Sequence, residues 1–262
     1  MSARVAVLVF PGTNSEEETA RACRAVGLDV DLVPWTASPE RLAAAAAYVL
    51  PGGFAYEDRV RAGAIAAHDP AIAAVRAGAL AGKPVLGICN GAQILLESGL
   101  VPEFDGAATP RAAFARNAPS GTYRSTHVYV RLTVPPRRSA LTAHLAEGTV
   151  LPAWASHGEG RLAGADDVLR RLETDEHVAF AYCDAHGERG AAAVPNGSAL
   201  GAAALLNARG NVLAIMPHPE RAAWTYMQSG AERLRAQGDP AAMLAPTGGI
   251  ALFEGLARAA RA

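Results

Sequence analysis

The first hundred residues of this 262-residue chain predict an α/β fold: a doubly wound, mostly parallel central sheet with helices on both faces. Three observations carry that expectation. Short apolar runs alternate with helix-length segments, Ser-Pro and Asp-Pro pairs mark helix starts, and the apolar runs stop at glycine-containing loops. In order, residues 5–10 read as a strand, residues 15–26 as a helix ending at Gly27, and residues 30–33 as a second strand. Ser38-Pro39 and Asp69-Pro70 each read as an N-cap followed by proline at the first helical position, so helices start there. Residues 48–50 and 85–88 are the next buried strands. Their glycine-containing loops fall at carboxyl ends of strands, where open α/β sheets hold ligands.

The second half predicts an additional antiparallel region. Residues 126–134 alternate, with Val128, Val130, Leu132 and Val134 on one face and His127, Tyr129, Arg131 and Thr133 on the other, as in a strand exposed on one side. Residues 200–206 and 211–216 flank a turn at Ala208-Arg209-Gly210 and read as a hairpin. Residues 223–247, of mixed polarity with Gly, Pro and Gln, read as a surface excursion before a last helix near 248–258. There is no internal repeat and no long linker, so residues 1–262 read as a single domain.

Bulk properties exclude several classes. Half the residues are hydrophobic, 19% are charged and the net charge is −1, which speaks against a disordered tail and a nucleic-acid partner. Cys23, Cys89 and Cys183 show no paired spacing, so neither a disulfide framework nor a zinc ribbon is expected; no metal site is, and a reducing cytoplasm fits. The apolar run at 5–10 is too short for a signal segment and the Ala-rich run at 42–50 too short for a bilayer, so a soluble, membrane-free protein is expected. Asn196-Gly197-Ser198 has the form of a glycosylation sequon but reads as a turn.

The chemistry concentrates at residues 83–93, where an apolar run ends in Gly87-Ile88-Cys89-Asn90-Gly91 and turns helical. A nucleophile at a tight strand-to-helix turn needs small residues two positions either side, because side chains there would collide. The helix then aims its free N–H groups at the sulfur and favours the attacking anion. A cysteine alone is more often a buried structural residue, but the glycines and Gln93 reverse that reading. A catalyst also needs a base, an orienter for it and an oxyanion hole. His218 and Glu220 in Met216-Pro-His-Pro-Glu220 follow an apolar run, and a pre-proline bias to extended backbone would project both to one side. His157, in Ser156-His-Gly-Glu-Gly160, is a competing base that sequence order does not separate from His218. The other five histidines read as solvated or structural. In Pro51-Gly52-Gly53-Phe54 the backbone is bare, and one of its N–H groups together with that of Asn90 could hold an oxyanion. The run Gly78 to Pro84 is one residue short of a Walker loop and has proline where Ser or Thr must bind magnesium. With no GxGxxG either, no nucleotide cofactor is expected on this chain.

Gly87-Ile-Cys89-Asn-Gly-Ala-Gln93, Pro51-Gly-Gly-Phe54 and His218-Pro-Glu220 together resemble the class I, triad-type glutamine amidotransferases. Phe10-Pro-Gly-Thr-Asn14, the run from Pro51 to Ala66, His157-Gly-Glu-Gly160, Pro195-Asn-Gly-Ser198 and the run from Gly210 to Arg221 narrow this to the family of glutaminase subunits of phosphoribosylformylglycinamidine synthases. The resemblance runs from Val5 to about Arg221. It implies a flavodoxin-like sheet and a glutaminase that hydrolyses L-glutamine and passes ammonia to a partner. That partner would be a large subunit using ATP and magnesium to amidate formylglycinamide ribonucleotide in purine biosynthesis, with a small accessory subunit beside it. By the motif matches, Cys89 would be the nucleophile, His218 the base and Glu220 its orienter. Gly52, Gly53, Phe54 and Asn90 would surround the oxyanion, and Gln93 and His157 would help bind glutamine. Three departures stand out: Ser15 where many relatives have cysteine, Glu57 at a common glycine, and a long 223–247 passage. A glutaminase of another class I pathway would share the elbow without the His157 loop, and a non-catalytic module on this fold would normally lack Cys89.

Overall fold

Apolar runs without alternation need cover on both faces, and in the computed structural model of this chain, which describes residues 2–106, 109–236 and 239–262, they receive it. Strand β1 (Arg4–Val9) leads to helix α1 (Glu16–Ala25), β2 (Asp29–Pro34), α2 (Pro39–Ala43), β3 (Ala47–Leu50), α3 (Pro70–Leu80), β4 (Val85–Ile88) and α4 (Asn90–Glu97). Every residue of β3 and β4 is buried. As the sequence predicts, the Ser38 side chain accepts from the Arg41 N–H and that of Asp69 from the Ala71 N–H, capping α2 and α3. Ser15 stands at the N-cap of α1 but its hydroxyl makes no cap hydrogen bond; it is engaged in the site described below.

The chain continues through β5 (Ala112–Ala115), β6 (Arg124–Leu132), β7 (Val150–His157), β8 (Arg161–Gly164), α5 (Asp166–Thr174), β9 (Val178–Cys183), β10 (Ala202–Leu206) and β11 (Val212–Ile215). It closes with α6 (Ala231–Ala236), α7 (Pro240–Met243) and α8 (Ala251–Ala259). Nine strands form one sheet in the order β2-β1-β3-β4-β11-β10-β9-β6-β7, and β5 pairs with β8 apart from it. The five strands from β2 to β11 are mutually parallel, a flavodoxin-like order, whereas β10, β9, β6 and β7 add an antiparallel half. Helix α1 packs against α8, and α2 against α3.

The predicted hairpin is present, with Leu205 opposite Ala214. Strand β10 begins only at Ala202, because Leu200 and Gly201 turn through left-handed backbone at φ 58° and 61°. The alternation of β6 also holds, with Val128, Val130, Leu132 and Val134 buried. Strands β5, β7, β8 and β9 and helix α5 were not foreseen. Two of these strands have four residues and β7 carries Pro152 in its middle, so local pattern marks them weakly, and their pairing across long separations defines them. The 223–247 excursion holds the short helices α6 and α7 and is closed at its base by a bridge between Trp224 and Pro246. No described helix is long and apolar enough to cross a membrane.

Candidate active site

The carboxyl ends of β3, β4 and β11 lie side by side, and the chemistry-bearing residues follow them directly. Cys89 sits between β4 and α4 at φ 52°, ψ −107°, a conformation that costs a non-glycine residue about 1–3 kcal/mol. Neighbouring hydrogen bonds fix it there: the Cys89 N–H donates to Ile215 O (2.8 Å), the Gly91 N–H to Pro51 O (3.1 Å) and the Gln93 N–H to Cys89 O (3.0 Å). The flanking glycines behave as the elbow reading requires. A Cβ on Gly91 would lie 1.9 Å from Leu50 O, and one on Gly87 would lie 2.5 Å from a Leu95 methyl.

His218 is held by β7, exchanging backbone hydrogen bonds with Trp154 at 3.1 and 2.8 Å. The chain does not stay extended as the proline context suggests. Pro219 turns at φ −70°, ψ −31° into a short 3-10 turn, Glu220–Ala222, which folds Glu220 back onto the ring. His218 Nδ1 and Glu220 Oε1 are 2.5 Å apart, and both residues are buried. The Cys89 thiol donates to Ser156 O at 3.8 Å, and its sulfur lies near enough to the His218 ring to act on the charge of that ring. Burial opposes charge on His218, but Glu220 and the Cys89 sulfur outweigh it and raise the affinity of the ring for its proton well above normal. This arrangement can take a proton from the sulfur and return it to a leaving group. Gly52 lies under both: a Cβ there would stand 2.5 Å from His218 Cε1 and 3.4 Å from Cys89 Cβ.

Among the Pro51-to-Phe54 amides, the Phe54 N–H already donates to Gly12 O at 2.9 Å, so Phe54 lines the mouth, half-exposed, without offering its amide. Gly53 takes the position that only a bare backbone can, since a Cβ there would lie 2.6 Å from Thr13 Cα. Its N–H makes no backbone hydrogen bond among the described residues, and the Asn90 N–H, at the start of α4, has no acceptor within the helix. The Asn90 side chain accepts from the Ala55 N–H and donates to Asp58 Oδ1 (3.1 Å) and Gln93 Oε1 (3.0 Å). Gln93 in turn donates to Glu159 O (2.6 Å), tying the helix to the loop after β7.

His157, the competing base, stands at the end of β7 and is 3% exposed. Burial, then the charge on His218, pushes its pKa down to about 4, and neither ring nitrogen has a hydrogen-bond partner among the described residues. Without a carboxylate to orient it, it is a neutral wall of the cavity. That cavity, about 330 Å³, is bounded by Cys89, His218, Gln93 and His157 and also by residues without a role in the sequence reading: Asp58, Arg116, Tyr123, Ser156, Glu159 and Arg221. Asp58 and Glu159 fall inside the quoted motifs, whereas Arg116 and Tyr123 carry no local signal. Arg221 donates to Ser15 Oγ (2.8 Å), Ser156 Oγ (3.2 Å) and Glu18 (3.3 Å), which explains why Ser15 does not cap α1.

The remaining candidates are structural. Burial pushes the Cys23 thiol up to about 12 and that of Cys183 up to about 11, which leaves both unreactive. Gly78 lies in α3 against the Tyr48 ring, and Lys83 Nζ donates to Ala43 O and Ala45 O, so that segment packs helix on sheet. Asn196 is buried, its side chain accepting from the Ser198 N–H in a turn. No group of three or more metal-ligating side chains occurs among the described residues.

Comparison with known proteins agrees with this geometry. The family model of the CobB/CobQ-like glutamine amidotransferase domain matches residues 2–253. Phosphoribosylformylglycinamidine synthase subunit PurQ of Methanothrix thermoacetophila is 41% identical over 233 residues, 85% of this chain and 88% of that protein. The PurQ subunit of Thermomicrobium roseum is 43% identical over 84% of this chain and 87% of its own length. A chain in the solved PurLQS structure from Thermotoga maritima superposes with a TM-score of 0.71 at 29% identity, covering 90% of this chain and 97% of that one. The glutaminase domain of Trypanosoma brucei CTPS, at 13% identity and a TM-score of 0.57 over 99% of this chain and 94% of that one, shares the fold. This chain belongs to the family of PurQ subunits of phosphoribosylformylglycinamidine synthase, within the glutamine amidotransferases.

Proposed function

We propose that this chain, acting as one glutamine amidotransferase domain in the cytoplasm, hydrolyses L-glutamine at Cys89 and supplies ammonia to an ATP- and magnesium-using synthetase assembled with it and a small accessory subunit. The observation that carries this reading is the alignment of Cys89, His218 and Glu220 beside a closed-backed cavity. The Cys89 sulfur adds to the γ-carbonyl carbon of glutamine, and the N–H groups of Gly53 and Asn90 receive the oxyanion. His218 gives its proton to the departing nitrogen, so ammonia leaves and a glutamyl thioester remains. Water, deprotonated by His218, then adds to the thioester, releasing glutamate and restoring the thiol. Glu220 holds the ring and offsets its charge throughout. The PurQ relatives and the PurLQS assembly support the pathway, the formylglycinamidine ribonucleotide product and the partners.

The test is Cys89→Ser in the complete complex. We expect glutamine-dependent synthesis to vanish while synthesis from free ammonium persists, measured as product formation with either nitrogen source. Equal loss of both would refute the division of labour.

A further inference from the structure

Glu220 spends only one of its two carboxylate oxygens on the base. Oε1 meets Nδ1 of the His218 ring, whereas Oε2 has no hydrogen-bond partner among the described residues, and the residue is wholly buried. A buried carboxylate oxygen without a donor is rare, and an ionised one is costly. A second orphan belongs to α1. Ser15, Thr19 and Cys23 follow one another at four-residue spacing, so they lie along one face of that helix, and all three are wholly buried. The two outer members mark what that face looks at. Ser15 Oγ accepts from the Arg221 guanidinium at 2.8 Å, and the Cys23 thiol is pushed up by burial and, after it, by the charge of the nearby Glu220. Thr19 stands between them, on a helix packed against the 220–222 turn, and its Oγ1 likewise has no partner among the described residues. The other groups around Glu220 leave Oε2 alone. Arg221 is turned to Ser15, Ser156 and Glu18, Arg24 on α1 is exposed, His157 on β7 has a lowered pKa, and the 247–250 segment against the turn has no titratable side chain.

We propose that Thr19 is a positioning residue of the triad: its hydroxyl donates to Glu220 Oε2, directly or through one buried water, and so fixes the carboxylate that orients His218. The inference rests on the reading of Glu220 as the orienter and extends it to a group that touches neither substrate nor thiol. Threonine in a helix populates two χ1 rotamers, so its hydroxyl can turn towards the carboxylate without moving the backbone, and a bridging water serves nearly as well as a direct bond. The donor has two effects. It keeps Glu220 ionised in a place closed to bulk water, and it holds the plane of the carboxylate so that Oε1 stays on Nδ1 while the ring gives and takes its proton. The Cys23 thiol is the competing donor on the same face, but S–H donates weakly and the hydroxyl is favoured.

The experiment compares, in the assembled complex, Thr19→Val, which keeps the shape of the side chain and removes the hydroxyl, with Thr19→Ser, which keeps the hydroxyl. Thr19→Val should lower glutaminase kcat about tenfold with KM for glutamine within about twofold, because a hydrogen bond to a charged group is lost while the cavity is untouched. It should also move the pH profile of kcat/KM upward by about one unit, since a carboxylate that loses a donor holds its own proton, and that of the attached ring, more tightly. Thr19→Ser should return the profile to its wild-type position and kcat to within about threefold. An unmoved profile in Thr19→Val would overturn the assignment. So would equal displacement in both variants, which marks lost packing rather than a lost donor, and so would a profile moved by Cys23→Ala but not by Thr19→Val, which makes the thiol the donor. If Thr19→Val fails to assemble, Thr19→Ala takes its place beside Thr19→Ser. Failure of the glutaminase reading looks different: amide hydrolysis would then survive Cys89→Ser, whatever stands at residue 19.

Discussion

In the parallel half of the sheet, β4 and β11 run side by side with Ile88 opposite Ile215, so Cys89 and His218 leave adjacent strand ends within one and three residues. In the antiparallel half, β7 brings Ser156 and His157, and the loop after it Glu159, to the same cavity, with β7 paired to β6. The first half has backbone so confined that glycines are mandatory at 52, 87 and 91, and it holds one strained cysteine. The second contributes side chains on ordinary strand geometry. The candidate reacting atoms are thus placed by main chain, and the antiparallel half adds cavity wall through side chains.

Exchanging the two histidines is the strongest way to break this comparison. His218→Ala should cost about a millionfold in glutaminase kcat, as for the base of related triads, whereas His157→Ala should act mainly on KM and by less than about tenfold in kcat. Steady-state kinetics in the complex measure both. A larger kcat loss at His157 would place the base in the antiparallel half.

A matched pair of glycine substitutions sharpens it. A Cβ on Gly52 would press on His218 at 2.5 Å, and one on Gly160 would press on the His157 ring at 2.3 Å. The insult is similar and the expected outcome is not. Gly52→Ala should lower kcat about a hundredfold by displacing the base, and Gly160→Ala should raise KM while leaving kcat nearly intact. If both variants behaved alike, the division between the two halves would be lost.

The smallest effect concerns stability. Asp58 titrates near 6 in the folded chain, because of burial and then Glu159, against an ordinary carboxylate value near 4 when unfolded. Ionising it therefore costs stability, a cost absent below about pH 4 and complete above about pH 6. Asp58→Asn, which keeps an acceptor for Asn90, should raise Tm by about 1–3 °C at pH 8 and leave it unchanged at pH 4, a small effect because solvent reaches the group and screens it. Thermal melts at the two pH values check this. A lower Tm at pH 8 would mean that the carboxylate supports the fold.

The same division explains how far the sequence could be read. Cys89 announces itself because its conformation forces Gly87 and Gly91 into the local sequence, and Pro217 and Pro219 bracket His218 for a comparable reason. The candidate triad and the parallel strands can therefore be read from short stretches. The availability of the Phe54 amide was not, because its acceptor, Gly12 O, comes from a loop forty residues away. Nor was the turn at Pro219, since the pre-proline rule governs His218 and leaves the ψ of Pro219 open. Asp58 could be quoted in a motif but not aimed, as its direction depends on a run of left-handed residues that no composition signals. Arg116 and Tyr123 reach the cavity through β5, β6 and β8, whose pairings span tens of residues.

The bridge between Trp224 and Pro246 gives the late excursion a hinge-like root: chain enters and leaves at neighbouring points, with the Thr225 N–H donating to Ala245 O and the Thr247 N–H to Ala223 O. Tyr226, Met227 and Gln228 are tied to the body through Arg21, Trp154 and His127, but the chain beyond them can lengthen or shrink with little closure cost, because closure entropy grows only with the logarithm of loop length. Natural variation can remodel that lobe for a new neighbour while the thiol stays in register. For the engineer, it is a port on the molecule where a reporter or affinity handle can be spliced without retuning the chemistry.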